Sequence, residues 1–226
     1  MKMYSEYRAQ ARETLKGRWN EMALLMFVLT FIGCAISVPV AIGAGLTAIS
    51  NDVAWLNLGG GGCNFLFTIL VLAPLSYAFN NLCLQYARKE ELTDSYFAAL
   101  FKNFGAHWSK YVCSGLLVSI FVGLIAVPTL FIGALILGLA YAMVPFVIHD
   151  NPEMGVRDVL RTSRLMMRGH KWELFVLQLT FIGWVLLCIL TLGIGLFWLE
   201  PYITITNAHF YEDVKAEYEL KQAQAN

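Results

Sequence analysis

Basic residues are absent from the loops at 47–64, 127–133 and 191–195, and all 16 lysines and arginines fall into four blocks: 1–21, 87–111, 157–171 and 212–226. Charge of either sign is scarce, at 14% of residues with 58% hydrophobic, where an ordinary soluble domain carries about 25% charged residues. A mean hydropathy of +0.60 points the same way, and together these values exclude a typical water-soluble globule. The five cysteines, Cys34, Cys63, Cys83, Cys113 and Cys188, form no C-x-x-C pair and no Cys/His ligand spacing. They support neither a disulfide framework nor a metal site. The charged lead and the long apolar run behind it do not fit a signal peptide. G-x-S-x-G, a Walker loop and H-E-x-x-H are missing as well, which argues against an enzyme. No cofactor is expected, and nothing points to nucleic acid. The enzymatic alternative left open is a lipid-modifying site assembled from distant segments.

What is present is a succession of uncharged runs. Met22 to Leu46 is 25 residues without a charge, about 37 Å as a helix and enough to cross a hydrocarbon core of about 30 Å. A loop with Asp52 and the tetraglycine Gly59 to Gly62 follows, and then a second run, Phe65 to Tyr86, with Pro74 inside it. Asp94 to Trp108 places Tyr96, Phe97, Leu100, Phe101 and Phe104 on one face, as an interfacial helix would. The 37 uncharged residues from Val112 to Ile148 would reach about 55 Å as one helix. They must therefore turn, either at Ala126–Val127–Pro128–Thr129, the preferred position, or at Gly133. Trp172 to Leu192 is a fifth run. Leu196 to Tyr211, with Glu200 and Pro201, is a shorter sixth of about 24 Å, a thin span or a re-entrant arm. Residues 212–220 are expected to extend that last helix.

Lysine and arginine mark the cytoplasmic side of membrane proteins. With all four basic blocks there, each apolar region between them crosses an even number of times. The expected fold is an all-α polytopic membrane protein of six transmembrane helices in a single domain, 1–226, with both termini cytoplasmic. It reads as three repeated units, about 1–87, 88–149 and 150–226, each an interfacial amphipathic helix plus a hairpin. Each hairpin is preceded by glycine, one or two residues, then tryptophan: Gly17–Trp19, Gly105–Trp108 and Gly169–Trp172. Each return span holds a proline, Pro74, Pro145 or Pro201, and Leu-Thr-Phe-Ile-Gly occurs at 29–33 and again at 179–183. Glycine ends the surface helix and tryptophan anchors at the headgroups.

The most basic junction is Glu153 to Trp172. Arg157, Arg161, Arg164 and Arg168 share one helical sector, opposite Val156, Val159, Leu160, Ser163 and Met167. With Lys171 they form a candidate contact for anionic lipid headgroups or a membrane protein partner, at about 1 kcal/mol per basic side chain. A plain role in setting orientation is the competing reading. A second candidate is a polar path through the spans, from Glu200, Asn80, Asn81 and Asn207, as in a small transporter or channel. Such groups also serve as hydrogen-bond glue between helices. His107, His149, His170 and His209 share no ligand spacing.

Several of these stretches resemble a known family. Ala11–Arg12–Glu13-x-Leu15–Lys16–Gly17-x-Trp19, Ser163–Arg164-x3-Arg168–Gly169–His170–Lys171–Trp172, Phe181–Ile182–Gly183–Trp184, Leu190 to Gly195 and Pro201–Tyr202 through Ala208-x-Phe210–Tyr211 are similar to the bacterial integral membrane proteins grouped as domain of unknown function 975. That family has no assigned activity. The resemblance implies a bacterial inner-membrane protein and leaves the role to be argued from residues, with a non-enzymatic role favoured.

Overall fold

The structure is a computed structural model that describes residues 3–49, 68–90, 98, 100, 108–126 and 132–225. The described residues form helices and turns and no strand. The helices are α1 (Tyr4–Leu15), α2 (Trp19–Ile49), α3 (Ala73–Ala87), α4 (Trp108–Ala126), α5 (Ile132–Tyr141), α6 (Val144–Asp150), α7 (Val156–Met166), α8 (Lys171–Leu179), α9 (Ile182–Leu190) and α10 (Leu196–Ala225). The expected helix over 94–108, the tetraglycine loop, Cys63 and the turn at 127–131 lie outside the described residues. Gly133, the alternative turn position, falls inside α5.

α1 forms because Tyr7, Ala11 and Leu15 recur every fourth residue and are buried together, one face of a 3.6-residue period. It stops where Gly17 takes a left-handed φ of +84°, and the chain turns by 93° into α2. α7 ends the same way. Met167 closes it, Gly169 sits at φ +100° and the chain re-enters a helix at Lys171. Arg168 therefore stands in the turn beyond α7 rather than within the expected helix. The expected apolar side of α7 is the buried side, with Val159, Leu160, Ser163 and Met167 all enclosed. The Ser163 hydroxyl donates to the Ala140 carbonyl at 2.9 Å, which pins α7 against α5.

Prolines shape the return segments. A π-helical turn, Thr68–Leu72, leads into α3 with Pro74 in its first turn. Proline has no N–H to return to the carbonyl four residues earlier, here that of Leu70. The Trp108 indole N–H donates to that carbonyl at 2.9 Å instead, joining α4 to the π turn. Pro145 likewise opens α6 after a turn at Ala142–Met143. Pro201 lies inside α10, which runs unbroken for 30 residues, so the expected short sixth element and the charged tail are one helix. Lys171–Leu190 is broken at Thr180–Phe181 into α8 and α9.

α10 is the axis of the packing. Tyr7 of α1 meets Phe210 edge-on at 5.7 Å, Phe27 of α2 meets Phe197 at 5.3 Å, and Phe146 of α6 stacks on Tyr211 at 5.2 Å. Phe181, between α8 and α9, meets Tyr202 at 5.3 Å. Three helical segments among the described residues are long and apolar enough to cross a membrane: Thr68–Ala87, Gly133–Asp150 and Lys171–Leu190. α1 with the first part of α2 makes a fourth if the bent pair is one span, and Trp108–Leu124 is a shorter apolar helix.

Candidate functional site

The side chains of the basic blocks meet around residues 209–217 of α10. From α1, the Tyr7 hydroxyl donates to Asp213 at 2.8 Å and Thr14 pairs with the His209 ring at 3.1 Å. From the end of α3, Arg88 Nε donates to Glu212 at 2.8 Å. From the turn after α7, the His170 ring lies 3.4 Å from Glu217 and 3.0 Å from Glu173.

At the centre is Asp150, the last residue of α6, with only 6% of its side chain exposed. Arg88 grips it with two parallel bonds, Nη1 to Oδ1 at 2.7 Å and Nη2 to Oδ2 at 2.8 Å. Tyr211 Oη and Lys215 Nζ both donate to Oδ2, at 2.8 and 2.7 Å. One carboxylate thus ties the ends of α3 and α6 to α10. Bidentate charge-assisted geometry of this kind is the strong form of ion pair. The bonds to Asp150 hold the Arg88 guanidinium charged above the ordinary arginine range, against the opposing effect of its burial.

Of the sequence-predicted basic contacts, Arg157, Arg161, Arg164 and Arg168 are all exposed and Lys171 is half-buried. Arg164 hydrogen-bonds the Tyr141 hydroxyl, with its guanidinium 5.4 Å from the centre of the Tyr141 ring. Among the described residues none of the five forms a salt bridge, so their charge is turned outward. Arg168 also borders a cavity of about 290 Å³ with His170 and Lys221.

The polar residues of the spans are brought together in part. A groove of about 480 Å³ between α2, α3 and α10 is lined by Glu200, Thr204 and Asn207 from α10, Ser76 and Asn80 from α3, and Thr30 from α2. Asn207 also accepts from Gln178 of α8 at 2.9 Å. The Glu200 carboxylate forms no ion pair among the described residues. Asn81 faces away from the groove, is fully buried, and donates to the Tyr111 hydroxyl. No group of three or more His, Cys, Asp or Glu that could hold a metal occurs among the described residues.

Sequence reasoning missed the Asp150 node. Its trace was there: Asp150 is the acid that ends the 37-residue uncharged run, and Arg88 is the first base after the second run. Only packing shows that the two meet.

The fold and these sites define an all-helical protein with several apolar helices compatible with membrane insertion and a polar, charge-linked end. Residues 127–218 match the family model described as "Protein of unknown function (DUF975)". The match covers α5 to α9 and most of α10, with the motifs at 163–172, 181–184, 190–195 and 201–211, while the Ala11–Trp19 motif lies outside it. No curated protein and no solved structure matches the chain.

Proposed function

We propose that the protein is a non-enzymatic inner-membrane protein of bacteria whose basic collar contacts anionic lipid headgroups or a membrane protein partner. The observation that carries this reading is the gathering of side chains from the basic blocks around residues 209–217 of α10, with Arg157, Arg161 and Arg168 exposed and, among the described residues, without acidic partners. Large apolar side chains face outward elsewhere: Phe31, Leu124 and Leu190 are 67%, 72% and 81% exposed. A soluble monomer rarely leaves such surface uncovered. The common location of the basic blocks also supports three hairpins and six spans entering from the cytoplasm, with both termini there.

The test is lipid retention by the purified full chain. Replacing Arg157, Arg161 and Arg168 with Gln is expected to lower co-purifying anionic lipid relative to zwitterionic lipid; unchanged retention would overturn the collar reading. Orientation is tested on Cys63, which an impermeant maleimide should label in spheroplasts. Labelling only after lysis, of a thiol shown to be reactive, would reverse the topology.

A second reading, a small transporter or channel, is favoured by the groove that joins Glu200, Asn80 and Asn207. Flux through proteoliposomes that Glu200→Gln abolishes would establish it in place of the first. Absence of flux for a panel of small cations and protons would remove it.

A further inference from the structure

A groove of about 480 Å³ separate from the α7 collar runs between α1, the start of α2, α9 and α10. Arg8 and Arg12 stand at one end of it. Trp19, Trp184, Trp198, Leu187 and Leu199 make its walls, and among the described residues no carboxylate lines it. Its volume falls in the range of about 300–1,000 Å³ usual for ligand sites.

The arginine end is built and unsatisfied. Among the described residues Arg8 Nε is buried without a hydrogen-bond partner, although an arginine presents five donors and a buried donor left unmade is costly. The Arg8 carbonyl accepts from Tyr202 Oη at 3.2 Å and, more loosely, from Arg12 Nε at 3.4 Å, which holds both arginines beside the groove. Two like charges one helical turn apart repel, and neither forms a salt bridge among the described residues. An anion beside the two guanidinium groups would remove the repulsion.

Beyond the arginines the lining turns apolar. Trp184 and Leu187 are 53% and 55% exposed, so among the described residues nothing covers this wall. Tryptophan rings of this kind settle where headgroup meets acyl chain. A free anion would use only the arginines and leave the walls bare. An acidic peptide would bring a polar backbone to the apolar half.

We propose that this groove binds one anionic phospholipid, its phosphate held by Arg8 and Arg12 and an acyl chain lying against Trp184, Leu187 and Trp198. The proposal rests on the chain lying in a membrane, as read above, but not on the six-span orientation, and is independent of the α7 collar. The test uses the full chain in lipid nanodiscs with Trp55, Trp108 and Trp172 changed to Phe, so that fluorescence comes from the groove. Quenching by a chain-brominated anionic phospholipid is compared with quenching by its zwitterionic counterpart.

Preference for the anionic lipid is expected to fall in Arg8→Gln/Arg12→Gln by about 5-fold to 30-fold, the worth of one to two basic side chains at an acidic surface. A smaller fall overturns the proposal. Leu187→Trp fills the apolar half without touching either arginine, and it should abolish the preference; retention of the preference there also overturns it. The variant lacking Arg157, Arg161 and Arg168 should keep the groove signal. Should that variant lose the signal while Arg8→Gln/Arg12→Gln keeps it, the groove is not the site and the collar reading stands.

Discussion

Arg88 and Asp150, 62 residues apart in the chain, meet through two parallel bonds of 2.7 and 2.8 Å at the shared end of α3 and α6. Removing one partner of a buried pair strands the other, at a cost of about 3–5 kcal/mol. Asp150→Ala, which leaves Arg88 only Glu212 and Lys215 only Glu219 at 4.0 Å, is expected to lower stability by about 3 kcal/mol. Lys215→Met, at the more exposed margin of the same node, should cost less than about 1 kcal/mol. Unfolding of the two variants in detergent micelles, followed by circular dichroism, measures the difference.

Trp108 and Pro74 are coupled through the Leu70 carbonyl. Trp108→Phe keeps the ring and loses the indole N–H, and should cost about 1 kcal/mol. In a Pro74→Ala background the helix regains its own donor, so the same Trp108→Phe change should cost less. A double-mutant cycle on the unfolding midpoint checks this, and purely additive losses would refute the link.

Gly17 and Gly169 both sit at positive φ, and a Cβ at either would meet no atom within 4 Å. Alanine at either position should therefore lose only backbone energy, about 1–2 kcal/mol. Asparagine, which tolerates the left-handed region, should lose less. An alanine without measurable effect on thermal unfolding would show that the turn relaxes.

Gly195 is required for space rather than for its backbone angle. A Cβ there would lie 2.7 Å from the Cys188 sulfur, so Gly195→Ala should destabilise the α9–α10 turn by about 1–3 kcal/mol. Cys188→Ala in the same protein should recover most of the loss. Thermal unfolding of the single and double variants measures it.

Much of the local structure was legible in the chain. The four-residue recurrence of Tyr7, Ala11 and Leu15 marked the buried face of α1, and Val159, Leu160, Ser163 and Met167 marked that of α7. Glycine and tryptophan marked the turns after both helices. Other features depended on which helices lie side by side. Glu200, Asn80 and Asn207 line one groove while Asn81, one residue from Asn80, turns to Tyr111. A helix rotates by about 100° per residue, so neighbours in sequence face different partners. The repeated pentapeptide makes the same point. In α2 it runs within a continuous helix with Phe31 67% exposed, whereas at 179–183 the helix breaks and Phe181 is 1% exposed. Identical residues took their conformations from what α10 offered each of them.

The position of α10 late in the chain has a consequence for biogenesis. The Tyr7–Asp213 bond spans 206 residues, which at ribosomal rates of about 5–20 residues per second is some 10–40 s of synthesis. Until α10 emerges, α1 lacks Phe210 and Asp213, and Arg88 and Asp150 lack Tyr211, Glu212 and Lys215. Each earlier segment therefore waits for its α10 partners, and these contacts close late. A released chain truncated before residue 196 should expose these ends to proteases and quality-control factors, whereas one that extends through residue 217 should be protected.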